Sequence, residues 1–137
     1  MKLFIDTNVV VDFLGKREPF FENAAIIFEM MRQGKTEAIV SSLTIVNCAY
    51  ILRKSFSNET MLEKIDDLCQ LLGVSSINKS VILDAIACKL TDFEDAVQYY
   101  SAQLYQPDVI ITRDKTGFAS FVLPVMTPAE FVAECRR

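Results

Sequence analysis

The stretch Lys2-Leu3-Phe4-Ile5-Asp6-Thr7-Asn8 carries three apolar residues in a row into a carboxylate, a hydroxyl and an amide. A short apolar run without alternation suits a strand covered on both faces, as in a parallel sheet. The same form recurs at Glu37–Ser41 (EAIVS) and Asp108–Thr112 (DVIIT). A fourth strand is expected within Phe121–Met126, at an edge because Pro124 cannot donate to a ladder. A weaker fifth surrounds Val74–Ile77.

Helical spacing fills the intervals. Phe21, Ala24, Ala25, Phe28 and Met31 form one apolar face, which Gly34 ends. Leu43, Val46, Tyr50 and Ile51 form a second. Met61, Ile65, Leu68 and Leu72 form a third, starting near Ser57 or Asn58 and stopping at Gly73. Val81, Ile82, Ala85 and Ile86 form a fourth, and Phe93, Ala96, Val97, Tyr100 and Leu104 a fifth, closed by Pro107. Pro128–Cys135 reads as a last helix with Thr127 as its cap. Strands alternating with helices predict an α/β fold with a central parallel sheet of four to five strands flanked by helices. The two helices between residues 43 and 72 are expected to form a hairpin arm beside it. No repeat, linker or composition shift divides residues 1–137, so one domain is expected.

Composition narrows the chemistry. The chain contains no histidine, which removes Ser-His-Asp catalysis and imidazole metal ligands. Cys48, Cys69, Cys88 and Cys135 form no C-x-x-C pair, so zinc ribbons and thioredoxin motifs are unsupported, and reduced thiols are expected. No run of eighteen apolar residues is present and the start does not read as a signal peptide; a cytoplasmic location without membrane contact is the expectation. The net charge of −4 counts against a simple nucleic-acid-binding module. It does not count against an enzyme whose bound cations offset an acidic site.

In open parallel sheets, ligands bind outside the carboxyl ends of the strands. Here those ends lead into Asp6, Ser41-Ser42, and Thr112 followed by Arg113-Asp114. Taken singly, each aspartate has a plain structural account: Asp6 or Thr7 as cap for Val9–Leu14, Asp114 as cap for Lys115–Phe121. In Thr91-Asp92-Phe93-Glu94-Asp95, Thr91 and Glu94 have capping-box spacing, and acids suit a first helical turn. A cap explains one of Asp92 and Asp95, but not two like charges three residues apart on a half-buried edge. Together, Asp6, Asp92, Asp95 and Asp114 bring acids from three distant segments to one end of one sheet. An oxygen-only cluster of that kind suits Mg²⁺ or Mn²⁺ and phosphoryl chemistry. Asn47, near the apolar face of its helix, reads equally as a hydrogen-bonded core amide and as a neutral ligand.

The chain resembles the PIN-domain family over nearly its whole length. The resemblance is carried by Phe4-Ile5-Asp6-Thr7-Asn8, Ser41-Ser42-Leu43-Thr44, Asp92-Phe93-Glu94-Asp95-Ala96, Ile111-Thr112-Arg113-Asp114 and Val125-Met126-Thr127-Pro128. It implies a Mg²⁺- or Mn²⁺-dependent ribonuclease of the VapC toxin type, hydrolysing an RNA phosphodiester in line, a homodimer silenced by a cognate antitoxin. It implies Asp6, Asp95 and Asp114 as metal ligands, Asp92 as a further catalytic acid, and Asn8 and Thr112 as supports. One departure stands out: Asn47 occupies the place where the family usually has glutamate.

The RNA channel is poorly marked. Arg113, Lys115 and Arg53 are candidate phosphate contacts, with Lys16, Arg17 and Lys54 beside them, although an ordinary solvated charge accounts for most. Tyr50, Tyr99 and Tyr100 could stack on bases, or simply pack. The main competing expectation is a catalytically dead PIN domain that binds RNA or protein, motivated by Asn47. A haloacid-dehalogenase-like phosphatase is disfavoured by Asn8, two residues after Asp6, and a phosphoacceptor receiver by Ser41-Ser42 after the second strand. A pure scaffold would leave the convergence of aspartates unexplained.

Overall fold

A computed structural model describes all of residues 1–137. Its sheet is entirely parallel. The strands are β1 (Lys2–Ile5), β2 (Glu37–Ser41), β3 (Gly73–Ser75), β4 (Val109–Ile111) and β5 (Val125–Met126), in the order β3-β2-β1-β4-β5. The opening stretch is thus the central strand, with Leu3 paired to Ala38 on one side and to Val109 on the other.

The unbroken apolar run is explained by what covers each face. Leu3 and Ile5 point into a core built from α1 (Thr7–Leu14), α2 (Phe21–Arg32) and α7 (Pro128–Cys135). Phe4 points the other way, to Tyr99 and Ala102 of α6 (Phe93–Gln103) and to Phe118. All three strand residues are fully buried. The expected hairpin arm is present as α3 (Ser42–Leu52) and α4 (Asn58–Leu71), and it joins the first core through Cys48 and Leu68. Helix α5 (Lys79–Ala87) packs on α6 through Val81, Ala85, Ala96 and Val97. No helix is long and apolar enough to cross a membrane.

Several element ends differ from expectation. The stretch expected as a strand over 121–126 pairs only at Val125–Met126, on the edge that Pro124 requires. Phe121 instead stacks on Tyr99, ring centroids 3.7 Å apart. The fifth strand begins earlier than expected, since Gly73 both follows α4 and opens β3. At α6 the cap is Asp92, whose carboxylate accepts from the Asp95 amide, and not Thr91. The capping box lies elsewhere, between Thr127 and Glu130 at the start of α7.

Candidate active site

The carboxyl ends of β1 and β4 are adjacent, because Ile5 pairs with Ile111. That register sets Asp6 beside Thr112. Asp6 caps α1 by accepting from the Thr7 amide at 2.8 Å through Oδ1. Its Oδ2 accepts from the Thr112 hydroxyl at 2.8 Å and from Asn8 Nδ2 at 3.5 Å. Asn8 in turn accepts from the Arg113 amide at 3.2 Å. The capping account and the site account of Asp6 therefore use different oxygens of one carboxylate.

Helix α6 brings the second pair of acids. Asp6, Asp92, Glu94 and Asp95 line one depression together with Thr7, Asn8 and Arg17. Burial, and then the nearby Asp92 and Asp6 charges, push the Asp95 carboxyl up to about 7. Burial also raises Asp6, against the lowering effect of its Thr112 and Thr7 hydrogen bonds, with Asp114 and Asp92 adding to the rise. Asp114 lies on the same rim but is exposed. Its Oδ1 accepts from the Thr116 amide at 3.0 Å and the Thr116 hydroxyl at 2.5 Å, which hold its carboxyl below the usual range. It caps the 3-10 turn Lys115–Phe118.

A hard divalent cation fits this donor set by its chemistry. The donors are all oxygen, and crowded carboxylates that resist ionisation gain most from a cation between them. The acids are not drawn into a closed chelate: no three of them converge tightly in this conformation.

Two features at the site, Gly117 and Gln98, were not found by reading the sequence. Gly117, in the 3-10 turn, lies so close to Asp95 that a Cβ there would overlap its carboxylate. Gln98, one turn after Asp95 and 1% exposed, accepts from the Ser41 hydroxyl at 2.5 Å. Its amide nitrogen donates to Thr44 at 3.1 Å and Thr7 at 3.2 Å, tying α6 to the starts of α1 and α3 beneath the acids. Arg17 is the one basic residue lining the acidic depression.

A family profile described as PIN domain matches residues 2–116. The chain belongs to the PIN-domain family. No curated protein sequence matches it significantly. Among solved structures, this PIN domain is similar to a toxin–antitoxin complex from Klebsiella pneumoniae, with TM-score 0.69 and 19% identity over 92% of this chain and 97% of that one. It is similar to DNA-bound VapBC from Salmonella typhimurium, with TM-score 0.68 and 17% identity over 93% and 98%. It is also similar to VapC20 of Mycobacterium tuberculosis, described as a sarcin-ricin-loop-cleaving toxin, with TM-score 0.66 and 12% identity over 88% and 96%. At these identities the likeness is one of fold.

The remaining candidates of the PIN domain are placed as follows. Asn47 sits one turn after Thr44 and one turn before Ile51. Its side chain lines a neighbouring, mostly apolar depression with Leu43, Ile77, Ile82 and Phe93, which shares Glu94 with the acidic one. The half-buried Asn47 side chain has no hydrogen-bond partner in the chain, so it is not a hydrogen-bonded core amide. Arg113 is turned from the acids: its guanidinium meets the 1%-exposed Asp12 at 2.6 Å and lies over the Phe20 ring. That pairing answers a buried charge that would otherwise be costly. Lys115 pairs with Glu130 at 3.0 Å. Arg53 lies over the exposed Tyr50 ring at 4.3 Å. Tyr99 belongs to the core, and Tyr100 packs partly buried against it.

Proposed function

We propose that this PIN domain is an endoribonuclease dependent on Mg²⁺ or Mn²⁺, and that it is the toxin of a toxin–antitoxin pair acting in the cytoplasm. The observation that carries the reading is the depression in which Asp6, Asp92 and Asp95 stand beside Arg17. Acids in that number favour a cation, and a guanidinium beside them favours a phosphate. Asp6, Asp95 and Asp114 would hold the ion, with Asp92 as a further acid. When bound, such an ion supplies charge stabilisation of phosphoryl oxygens and a more acidic water. The chain's own groups prepare that place. Thr112 and Asn8 fix the Asp6 carboxylate through hydrogen bonds. Gly117 leaves room for the Asp95 carboxylate, and Gln98 steadies the helix that carries it. Arg17, beside the acids, would hold a phosphate oxygen.

The toxin role is supported by fold likeness to toxin–antitoxin complexes and to a toxin that cleaves RNA. A separately encoded antitoxin is the partner this reading supplies. A second copy of the chain is the other. Phe93 lines the apolar depression that holds Asn47 and is 53% exposed; Val46 and Ile86, on the helices α3 and α5 that also contribute to it, are 65% and 56% exposed, and apolar exposure of that kind suits a homodimer.

Asn47 favours one second reading, a PIN domain without catalysis that binds RNA or protein, because its amide brings no charge to the acids. Cleavage of a mixed RNA pool with added Mn²⁺ separates the readings, using the native chain, Asp6→Asn and Asn47→Glu. The nuclease reading expects the native chain to cut and Asp6→Asn to fail. Cutting by Asn47→Glu alone would support a silenced nuclease. Cutting by none of the three, with Mn²⁺ binding also lacking, would sink the metal-nuclease reading.

A further inference from the structure

Beside the acidic depression runs a second groove, between the turn after α1 and the end of α3. It is lined by Lys16, Arg17 and Lys64 over a floor that includes Ile51 and Phe56, and no acid lines it. Arg17 and Ile51 line both depressions, so the two are continuous. The contrast in charge is sharp: apart from the shared Arg17, four acids and no cation line one depression, and Lys16, Lys64 and no acid line the other.

The cations of this groove form no ion pair. Lys2, Arg32, Arg113, Lys115 and Arg137 are held in ion pairs. Lys16, Arg17 and Lys64 are not. Arg53 and Lys54, also unpaired, fall between Leu52 and Ser55 of the groove wall. In a chain of net charge −4, this local concentration is where a polyanion gains most. Lys64 lies 4.8 Å from the Phe56 ring centroid, so a cation and an aromatic stand together, the pairing that suits a phosphate with a stacked base.

We infer that this groove is the path of a single RNA strand leaving the acidic site, with Lys16 and Lys64 on its phosphates and Arg17 at the junction. The inference rests on the proposed function in taking RNA as the polymer. An acidic protein segment is the competing occupant; the direct opening onto a phosphate-handling site favours the strand.

The test is binding of a fluorescein-labelled single-stranded RNA of mixed sequence to the full chain, read by anisotropy over a range of salt. It is done with Asp6→Asn and EDTA, so that no strand is cut. Each lost phosphate contact on a single strand flattens the slope of log K against log salt by about 0.7. Lys16→Gln with Lys64→Gln should flatten it by about 1.4. Lys79→Gln with Lys89→Gln, unpaired lysines elsewhere, should not. The path is overturned if the parent binds no RNA, if both pairs of changes act alike, or if neither changes the slope. It is also overturned if the Lys16 and Lys64 changes weaken only a polyglutamate peptide, which would assign the groove to an acidic protein segment. Binding is read without metal. A chain that binds along the groove yet never cuts RNA with Mn²⁺ therefore loses the nuclease reading and keeps the strand path.

Discussion

Gly117 has no side chain where the Asp95 carboxylate needs space, which makes this contact directly testable. In Gly117→Ala the carboxylate must swing away, so Mn²⁺ affinity should fall about 10- to 100-fold, the range for groups that orient a ligand. Calorimetric titration with Mn²⁺ reads this; an unchanged affinity would remove Asp95 from cation binding. The Asp95 carboxyl also predicts a pH dependence. Its folded value, about 7, lies above the ordinary 3.8, so the folded state binds the proton more tightly. Stability from this group is full at low pH and is lost as pH rises through about 7. Asp6 shifts in the same direction. With no histidine to titrate in that window, the metal-free chain should melt lower at about pH 7.5 than at about pH 5.5. Saturating Mn²⁺ should cancel the fall, because the cation takes the place of the proton. A flat metal-free profile in thermal scans would show that Asp95 ionises without cost. The acids themselves were legible, since carboxylates at strand ends and helix starts stand out in a sequence. Gly117 was not, because its neighbour lies on another helix.

At the scale of elements, apolar runs and caps carried most of the reading. β1, β2 and β4 appear within a residue or so of expectation because each is covered on both faces. The edges were less legible: β3 and β5 are short and carry little apolar pattern of their own. The Gln98 linkage was invisible for a different reason. Its partners Ser41, Thr44 and Thr7 lie 57, 54 and 91 residues away, and a glutamine within an apolar helix face announces none of them. Because Gln98 is buried, its removal leaves hydroxyls of three elements without their partner. Gln98→Leu should cost on the order of 1–3 kcal/mol in urea unfolding. RNA cleavage should weaken as well, since α6 then loses its tie to the strand ends that hold the acids. Unchanged stability and cleavage would make the linkage incidental.

For the whole molecule, the parallel sheet explains why residues as far apart as Asp6 and Asp114 share one rim. What the sequence concealed at this scale was surface allocation. Arg113 and Lys115 read as free charges but are spent on Asp12 and Glu130, whereas Lys64 drew no notice. Apolar spacing is similarly ambiguous, because a helix side turned to the core and one turned to a second molecule have the same pattern. On α3 and α5, Val46 and Ile86 belong to the outward kind, and both are mostly exposed. If a second copy covers them, light scattering on the purified chain should give twice the mass of 15.5 kDa at micromolar concentration. Val46→Glu with Ile86→Glu should then halve the measured mass. Neither residue supports the fold from within, so the melting behaviour of the monomer should remain cooperative, and burying like charges against each other explains the separation. A native chain that is already monomeric would turn this face over to the antitoxin, and the same two changes should then weaken that complex instead.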